Sequence, residues 1–127
     1  MKPTELIIGS LIEYNGAVCK VIGISNDIIK VDNYFYDEDM DVRCDKIQGI
    51  PLTTEILDKN FGKGIELNGN SFDDTRWTID ADLLWLFMDD EGDYFIKERK
   101  GSPHYIKHVH QLQQWLNILG IEKEIKL

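Results

Sequence analysis

Residues 11–24 read LIEYNGAVCKVIGI, and this stretch decides the fold of the first part of the chain. Short runs rich in apolar and β-branched residues stand on both sides of Asn15-Gly16, which indicates two strands. Asn and Gly tolerate the positive φ angles of a tight two-residue turn between antiparallel strands. The stretch therefore predicts a β-hairpin, with Cys19 and Val21 on its buried face.

Further short strands follow the hairpin closely. Residues 28–31 and 42–50 are rich in apolar residues, and a polar turn at residues 25–27 joins the first of these runs to the hairpin. Four or five short strands within about 45 residues are typical of a small barrel or a twisted sheet. We predict an SH3-like β-barrel subdomain over residues 1–50, with a strongly twisted meander as the alternative.

Two helices are predicted after residue 50. Thr53 or Thr54 can cap the start of the first helix, and Gly62 can end it. Helical spacing of apolar residues over 109–119, with Gly120 at the position of a left-handed cap, predicts the second. We expect this second helix to begin in solvent.

A second sheet lies between the predicted helices. Residues 83–88 and 94–97 flank a short acidic loop that contains Gly92, which predicts an antiparallel hairpin. The first of these strands is apolar on both faces, so we expect it to be central and covered on both sides. Alternation over residues 121–127 suggests a final edge strand. The chain is thus predicted to be α+β, with an α+β subdomain over residues 51–127 that packs closely on the first and whose sheet the C-terminal helix covers.

Length, composition and charge narrow the class of protein. A chain of 127 residues with 43% hydrophobic residues can bury a core without disulfides or a structural metal. Its net charge of −9 argues against sequence-independent binding to nucleic-acid phosphates or to an anionic membrane. The longest apolar run, residues 83–88, is too short to span a bilayer, and residues 1–5 do not resemble a secretory signal. We expect a cytoplasmic protein.

The negative charge is concentrated in two regions. Residues 32–45 hold six carboxylates and one arginine, and residues 71–93 hold eight carboxylates and one arginine. The chain from Lys97 onward is slightly basic. Proteins that imitate DNA present carboxylates to the basic surface of a nuclease or repressor. An acidic DNA-mimic inhibitor of a nucleic-acid-binding protein is therefore one alternative function.

The acidic run at residues 37–41 invites comparison with a calcium loop. Oxygen ligands at alternate positions begin an EF-hand, but Val42 stands where the sharp turn needs glycine and Gln48 where a bidentate glutamate is required. Solvated turn residues explain the run better. We predict no metal and no cofactor.

The histidines and cysteines do not form a recognisable site in sequence. His104 and His108 have the spacing of helical metal ligands, but the residues around them favour a strand or turn, and His110 lies in the predicted helix start. Cys19 and Cys44 belong to no CxxC pair, and Cys19 is expected to be a buried small hydrophobe. A cysteine–histidine nucleophile pair would arise only through the tertiary fold.

Asp80 and Asp82 are the best candidates for paired catalytic carboxylates. They flank Ala81 at strand spacing and would share one face. The sequence contains no phosphate-binding glycine loop, nucleophile elbow or HExxH motif. A small hydrolase is therefore the least favoured alternative, and we predict that the protein is not an enzyme.

Three stretches together carry a family resemblance: residues 6–11 (LIIGSL), 50–57 (IPLTTEIL) and 109–113 (VHQLQ). In order and spacing the chain resembles a group of small proteins of Bacteroides-type gut bacteria, their prophages and mobile elements. The group usually has Asn where this chain has Ser10, and Glu where it has Thr54. The resemblance implies a cytoplasmic accessory protein of a bacterium or phage, and it carries over no catalytic residue.

An aromatic segment beside the first acidic region is the most suggestive binding feature. SH3-like barrels commonly present an aromatic groove to a peptide, and three consecutive aromatics cannot all face the core of one strand. We predict a non-enzymatic protein-binding accessory protein that binds a protein partner or a second copy of itself, but not nucleic acid directly and not a membrane. The predicted binding residues are Tyr14, Tyr34, Phe35, Tyr36, Asp37, Glu38, Asp39 and Asp41.

Overall fold

The computed structural model of the chain describes residues 1–33, 38–67 and 74–127. These residues divide into two compact units, one of residues 1–51 with 108–123 and one of residues 52–107 with 124–127. Each unit contains a five-stranded antiparallel sheet, and the helices are α1 (Thr54–Phe61) in the second unit and α2 (Val109–Ile118) in the first. The predicted α+β class is confirmed. Neither helix has the length and hydropathy needed to span a bilayer.

The sheet of the first unit is built around the predicted hairpin. Asn15 and Gly16 form its turn with φ angles of 50° and 78°, and Tyr14 pairs with Ala17 across it. The strand order is β4-β3-β2-β1-β5. The strands are β1 (Leu11–Tyr14), β2 (Ala17–Ser25), β3 (Ile28–Asn33), β4 (Glu38–Arg43) and β5 (Gln48–Gly49).

This first sheet is open in the part of the chain that the structure describes. Strands β4 and β5 are its two edges, and they share no pairing. A 3₁₀ turn at Cys44–Lys46 separates them and replaces the single strand expected over residues 42–50. The turn is held where the backbone N–H of Cys44 donates to the carbonyl of Asp27 at 2.8 Å. The predicted SH3-like barrel is therefore not confirmed.

The core of the first unit lies on one face of this sheet. Cys19 and Val21 are both fully buried there, as predicted. Helix α2 is joined to the start of β1 by Gln113, whose Oε1 accepts from the N–H of Leu11 at 2.8 Å while its Nε2 donates to the carbonyl of Gly9 at 3.0 Å. The predicted covering of the second sheet by α2 stays a prediction. The core comprises Leu6, Ile12, Cys19, Val21, Ile29, Val31, Val42, Cys44 and Ile47.

The second unit packs helix α1 on one face of its sheet. Thr53 caps the helix by accepting from the N–H of Ile56 at 3.2 Å, and Gly62 ends it with a φ of 82°, as predicted. Asp58 Oδ1 in α1 accepts from the indole N–H of Trp77 at 2.8 Å, which fixes the helix on the sheet. The strand order is β10-β9-β8-β7-β6. The strands are β6 (Ile65–Leu67), β7 (Asp74–Asp80), β8 (Leu84–Met88), β9 (Tyr94–Glu98) and β10 (His104–Ile106).

The C-terminal residues 121–127 form no strand, contrary to the expectation from their alternation. A side chain supplies the pairing that a neighbouring strand would have given. Asn60 accepts from the backbone N–H of Lys126 at 2.7 Å and donates to its carbonyl at 2.6 Å. The amide of Asn60 thus holds the end of the chain on α1, together with Lys59, whose Nζ donates to the carbonyl of Leu127 at 2.6 Å.

Candidate functional site

The predicted binding residues are only partly within the described chain. Residues 34–37 lie outside it, and Glu38 begins β4. Tyr14 packs against the core of the first unit, whereas Asp39 and Asp41 are exposed on β4. Because Asp41 pairs with Lys30 on the outer face of the sheet, the two aspartates and Tyr14 lie on opposite faces.

The candidate catalytic residues Asp80 and Asp82 have a structural role. Asp80 Oδ1 accepts from the backbone N–H of Asp82 at 3.0 Å, so the pair forms a turn and does not share a strand face as expected. Such a turn is a common local use of aspartate. Burial raises the pKa of both cysteine thiols, Cys19 and Cys44, and disfavours the reactive thiolate.

The three histidines separate into two groups. His104 is exposed on β10 of the second unit, so the spacing of four to His108 is not helical. His108 and His110 belong to the first unit, and their rings are nearly parallel, with centroids 5.4 Å apart. His110 is only 3% exposed, although we expected a solvated helix start.

Gly49 makes room for this histidine pair. A methyl group on Gly49 would lie 2.6 Å from Cγ of His108 and 2.9 Å from Cε1 of His110, so both rings rest against bare backbone of β5. The start of α2 is held to the same region because the N–H of Val109 donates to the carbonyl of Ile50 at 2.8 Å. A glycine distant in sequence therefore creates the site.

The histidine pair borders a cavity of about 540 Å³ in the first unit. Burial, and then the charge of His108, lowers the pKa of His110 to about 4, so its imidazole is neutral at pH 7. Its Nδ1 is buried without a hydrogen-bond partner. Among the described residues no three side chains are arranged to hold a metal ion. The cavity is lined also by Glu5, Gln48, Gln111 and Gln114.

A row of side chains crosses the second sheet on the face away from Trp77. Directly paired residues on successive strands form it, from β10 to β6: Tyr105, Phe95, Phe87, Arg76 and Ile65. We call the sheet surface that carries this row the aromatic face. Side chains alternate along β8, so this face lies opposite to the one on which Leu84 and Leu86 are fully buried.

The aromatic face is open to solvent and ordered by its own contacts. Tyr105 is 61% and Ile65 54% exposed, while Phe87 and Phe95 are half-buried. The rings of Phe87 and Phe95 stack with centroids 5.0 Å apart, and Phe95 contacts Tyr105 at 5.4 Å. Strand β8 is central, as predicted, but its Trp85 and Phe87 face is not fully buried.

The charges around the aromatic face are separated along the strands. The loop between β8 and β9 carries exposed Asp90, Glu91 and Asp93 at one end. Lys97, the strand partner of Trp85, and Arg99 lie toward the other end of the same strands. No signal for this surface was taken from the sequence beyond the two-faced apolar pattern of residues 83–88.

No protein-family model, curated protein or solved structure matches the chain.

Proposed function

We propose that the protein is a non-enzymatic, protein-binding accessory protein and that the aromatic face is its binding surface. The observation that carries this proposal is the run of exposed and half-buried apolar side chains across the second sheet, in which Phe87 is central and Phe95 and Tyr105 lie beside it toward one edge. Contiguous apolar surface of this kind marks interaction sites. Aromatic residues and arginine also supply most of the energetically dominant contacts in protein interfaces.

The titratable groups support binding rather than catalysis. The thiols of Cys19 and Cys44 are buried and have raised pKa values, and the carboxylate of Asp80 holds a turn. His110 is neutral and 97% removed from solvent. The raised pKa values keep the thiols protonated, and the Asp80 carboxylate is used in a local turn.

The finer predictions for the first unit form part of the same proposal. Pairing of β5 with β1 and the 3₁₀ turn before β5 support an SH3-like arrangement of this sheet. The aromatic and acidic segment at residues 34–41 is proposed as a second contact region. The family resemblance suggests a partner within a bacterial cell or one of its mobile elements.

Affinity capture with matched variants tests the proposed surface. Three baits are expressed in cells of the source organism: the wild-type chain, Tyr105→Ser and Ile118→Ser. The captured proteins are identified and purified, and their binding to each bait is then measured. Ile118 is the control because it is 75% exposed but lies in helix α2 of the other unit. We expect Tyr105→Ser alone to weaken binding about tenfold or more, because it removes an aromatic side chain that is 61% exposed on the face. Equal binding by all three proteins would show that the aromatic face is not the binding surface.

A further inference from the structure

We propose that the occupant of the aromatic face is a second copy of this chain, related to the first by a two-fold axis parallel to the row from Tyr105 to Ile65. This inference rests on the proposed function, because it assigns a partner to the same surface. It commits to face-to-face packing of two identical sheets.

The sequence of β8 has the character of a strand covered on both faces. Leu84 and Leu86 point to the buried side and are fully inaccessible, while Trp85 and Phe87 point to the aromatic face. Strands with large apolar residues at every position are normally buried on both sides. Helix α1, the helix of the second unit, lies on the Trp77 side and not on the aromatic face.

The charges at the two ends of β8 and β9 are complementary. Asp89 shapes the acidic loop, since its Oδ1 accepts from the backbone N–H groups of Glu91 and Asp93, and this leaves the Asp93 carboxylate exposed. At the opposite end, Lys97 and Arg99 form no ion pair with any residue of the described chain. The aromatic face thus has an acidic end and a basic end, and Lys97 and Arg99 are not paired with carboxylates of the same described chain.

A two-fold axis parallel to the row brings these ends together. Packed sheets keep their strands within about 30° of each other, so β8 and β9 of one copy would lie antiparallel over the same strands of its partner. The acidic loop of each copy then meets Lys97 and Arg99 of the other, and each of these ion contacts occurs twice. Arg76, which lies in the row, would face Arg76 of the other copy across the axis, and this like-charge contact opposes association. An axis along the strands would instead place the two acidic loops against each other, which is unfavourable.

The area of the aromatic face determines the affinity that we expect for the dimer. Five strands about 4.8 Å apart and five residues of about 3.4 Å give a planar area of about 400 Å² per copy. Two copies would together bury about 800 Å², which is below the roughly 1,200 Å² of standard specific interfaces and in the range of weak, transient contacts, so we expect a reversible dimer with a dissociation constant on the order of 100 micromolar.

Sedimentation equilibrium of the purified full chain tests the dimer directly. The wild type should change from monomer to dimer as its concentration passes through about 100 micromolar. Tyr105→Ser should weaken association about tenfold or more, and Ile118→Ser should leave it unchanged. A wild-type chain that stays monomeric at all concentrations would overturn the inference.

A charge exchange tests the orientation of the two copies. Lys97→Glu and Asp93→Lys should each weaken self-association, because each places like charges at both symmetric contacts. An equimolar mixture of the two variants should regain wild-type association, since both contacts then join opposite charges. Both side chains are on the surface of folded strands or loops, and circular dichroism checks that the variants remain folded.

The outcomes separate this inference from the proposed function. If the equimolar mixture associates no more tightly than the single charge variants, the two-fold arrangement is wrong. If the chain does not self-associate but Tyr105→Ser still abolishes capture of a different protein, the inference fails and the proposed function stands. Dimerisation that is lost in Tyr105→Ser and recovered in the mixed charge variants supports both.

Discussion

Replacing His110 by leucine should remove about 2 kcal/mol of the loss of stability that the protein undergoes on acidification. The wild-type imidazole is 3% exposed, and its Nδ1 has no hydrogen-bond partner. Burial, followed by the charge of His108, lowers the pKa of His110 from 6.5 to about 4; Glu5 opposes this shift and the α-amino group of Met1 adds to it. At pH values between these two pKa values the imidazole of His110 is therefore protonated in the unfolded chain and neutral in the folded chain.

The size of the effect follows from this difference in pKa. Because the folded pKa of His110 lies below the unfolded value, its contribution to stability is intact above pH 6.5 and is lost as the pH falls toward 4. The full loss would be about 3.4 kcal/mol, since each pKa unit corresponds to about 1.36 kcal/mol. Between about pH 7.5 and about pH 5 the free energy of unfolding should fall by about 2 kcal/mol because of this one group.

Urea unfolding followed by circular dichroism measures this loss. The wild type, His110→Leu and His110→Gln are compared at the two pH values, with His104→Gln as the control because that histidine is exposed in the other unit. Both His110 variants should lose about 2 kcal/mol less than the wild type on acidification, whatever their stability at the higher pH. If both retain the wild-type pH dependence, or if His104→Gln reduces it as much, the burial of a neutral His110 does not control acid stability.

Two further predictions concern contacts that join distant parts of the chain. Gly49→Ala should destabilise the protein by about 1–3 kcal/mol, because its methyl group would lie 2.6 Å from Cγ of His108. Gly101→Ala is its control, since the nearest atom there is at 3.3 Å in an exposed turn, and equal melting temperatures for the two variants would contradict the steric argument. Asn60→Ala should cost about 1–3 kcal/mol and speed hydrogen exchange at the Lys126 amide, because a buried side chain that both donates to and accepts from that residue is removed. Unchanged exchange at Lys126 would show that the C-terminal residues are held by other contacts.

The local signals of the sequence were sufficient for the hairpin turn and the helix ends, but not for β4 (Glu38–Arg43), whose acidic residues we interpreted as a solvated turn. Asn15-Gly16 specifies its turn because both residues accept a positive φ, and the strands on either side need only pair with each other. Thr53 and Gly62 specify α1 in the same way, since a cap acts within one turn of a helix. The central position of β8 also followed from its composition alone.

The candidate sites depended on contacts between residues far apart in sequence. The polar start of α2 predicted solvent exposure for His110, but the bare backbone of Gly49 in another element provides the space in which it is buried. Asp80 and Asp82 have strand spacing, yet a local hydrogen bond turns the chain between them. Periodicity reports which side chains share a face, but not which element covers that face.

The sequence by itself determined the α+β class, the hairpin and helix boundaries, and a strongly acidic chain with two apolar faces on one central strand. Only the tertiary structure decided that Tyr105, Phe95 and Phe87 stand side by side on an open sheet face with an acidic loop at one end. The physical reason is that turns and caps are set by interactions over a few residues. A surface row is set by the register of strands, which is fixed only when the whole sheet has formed.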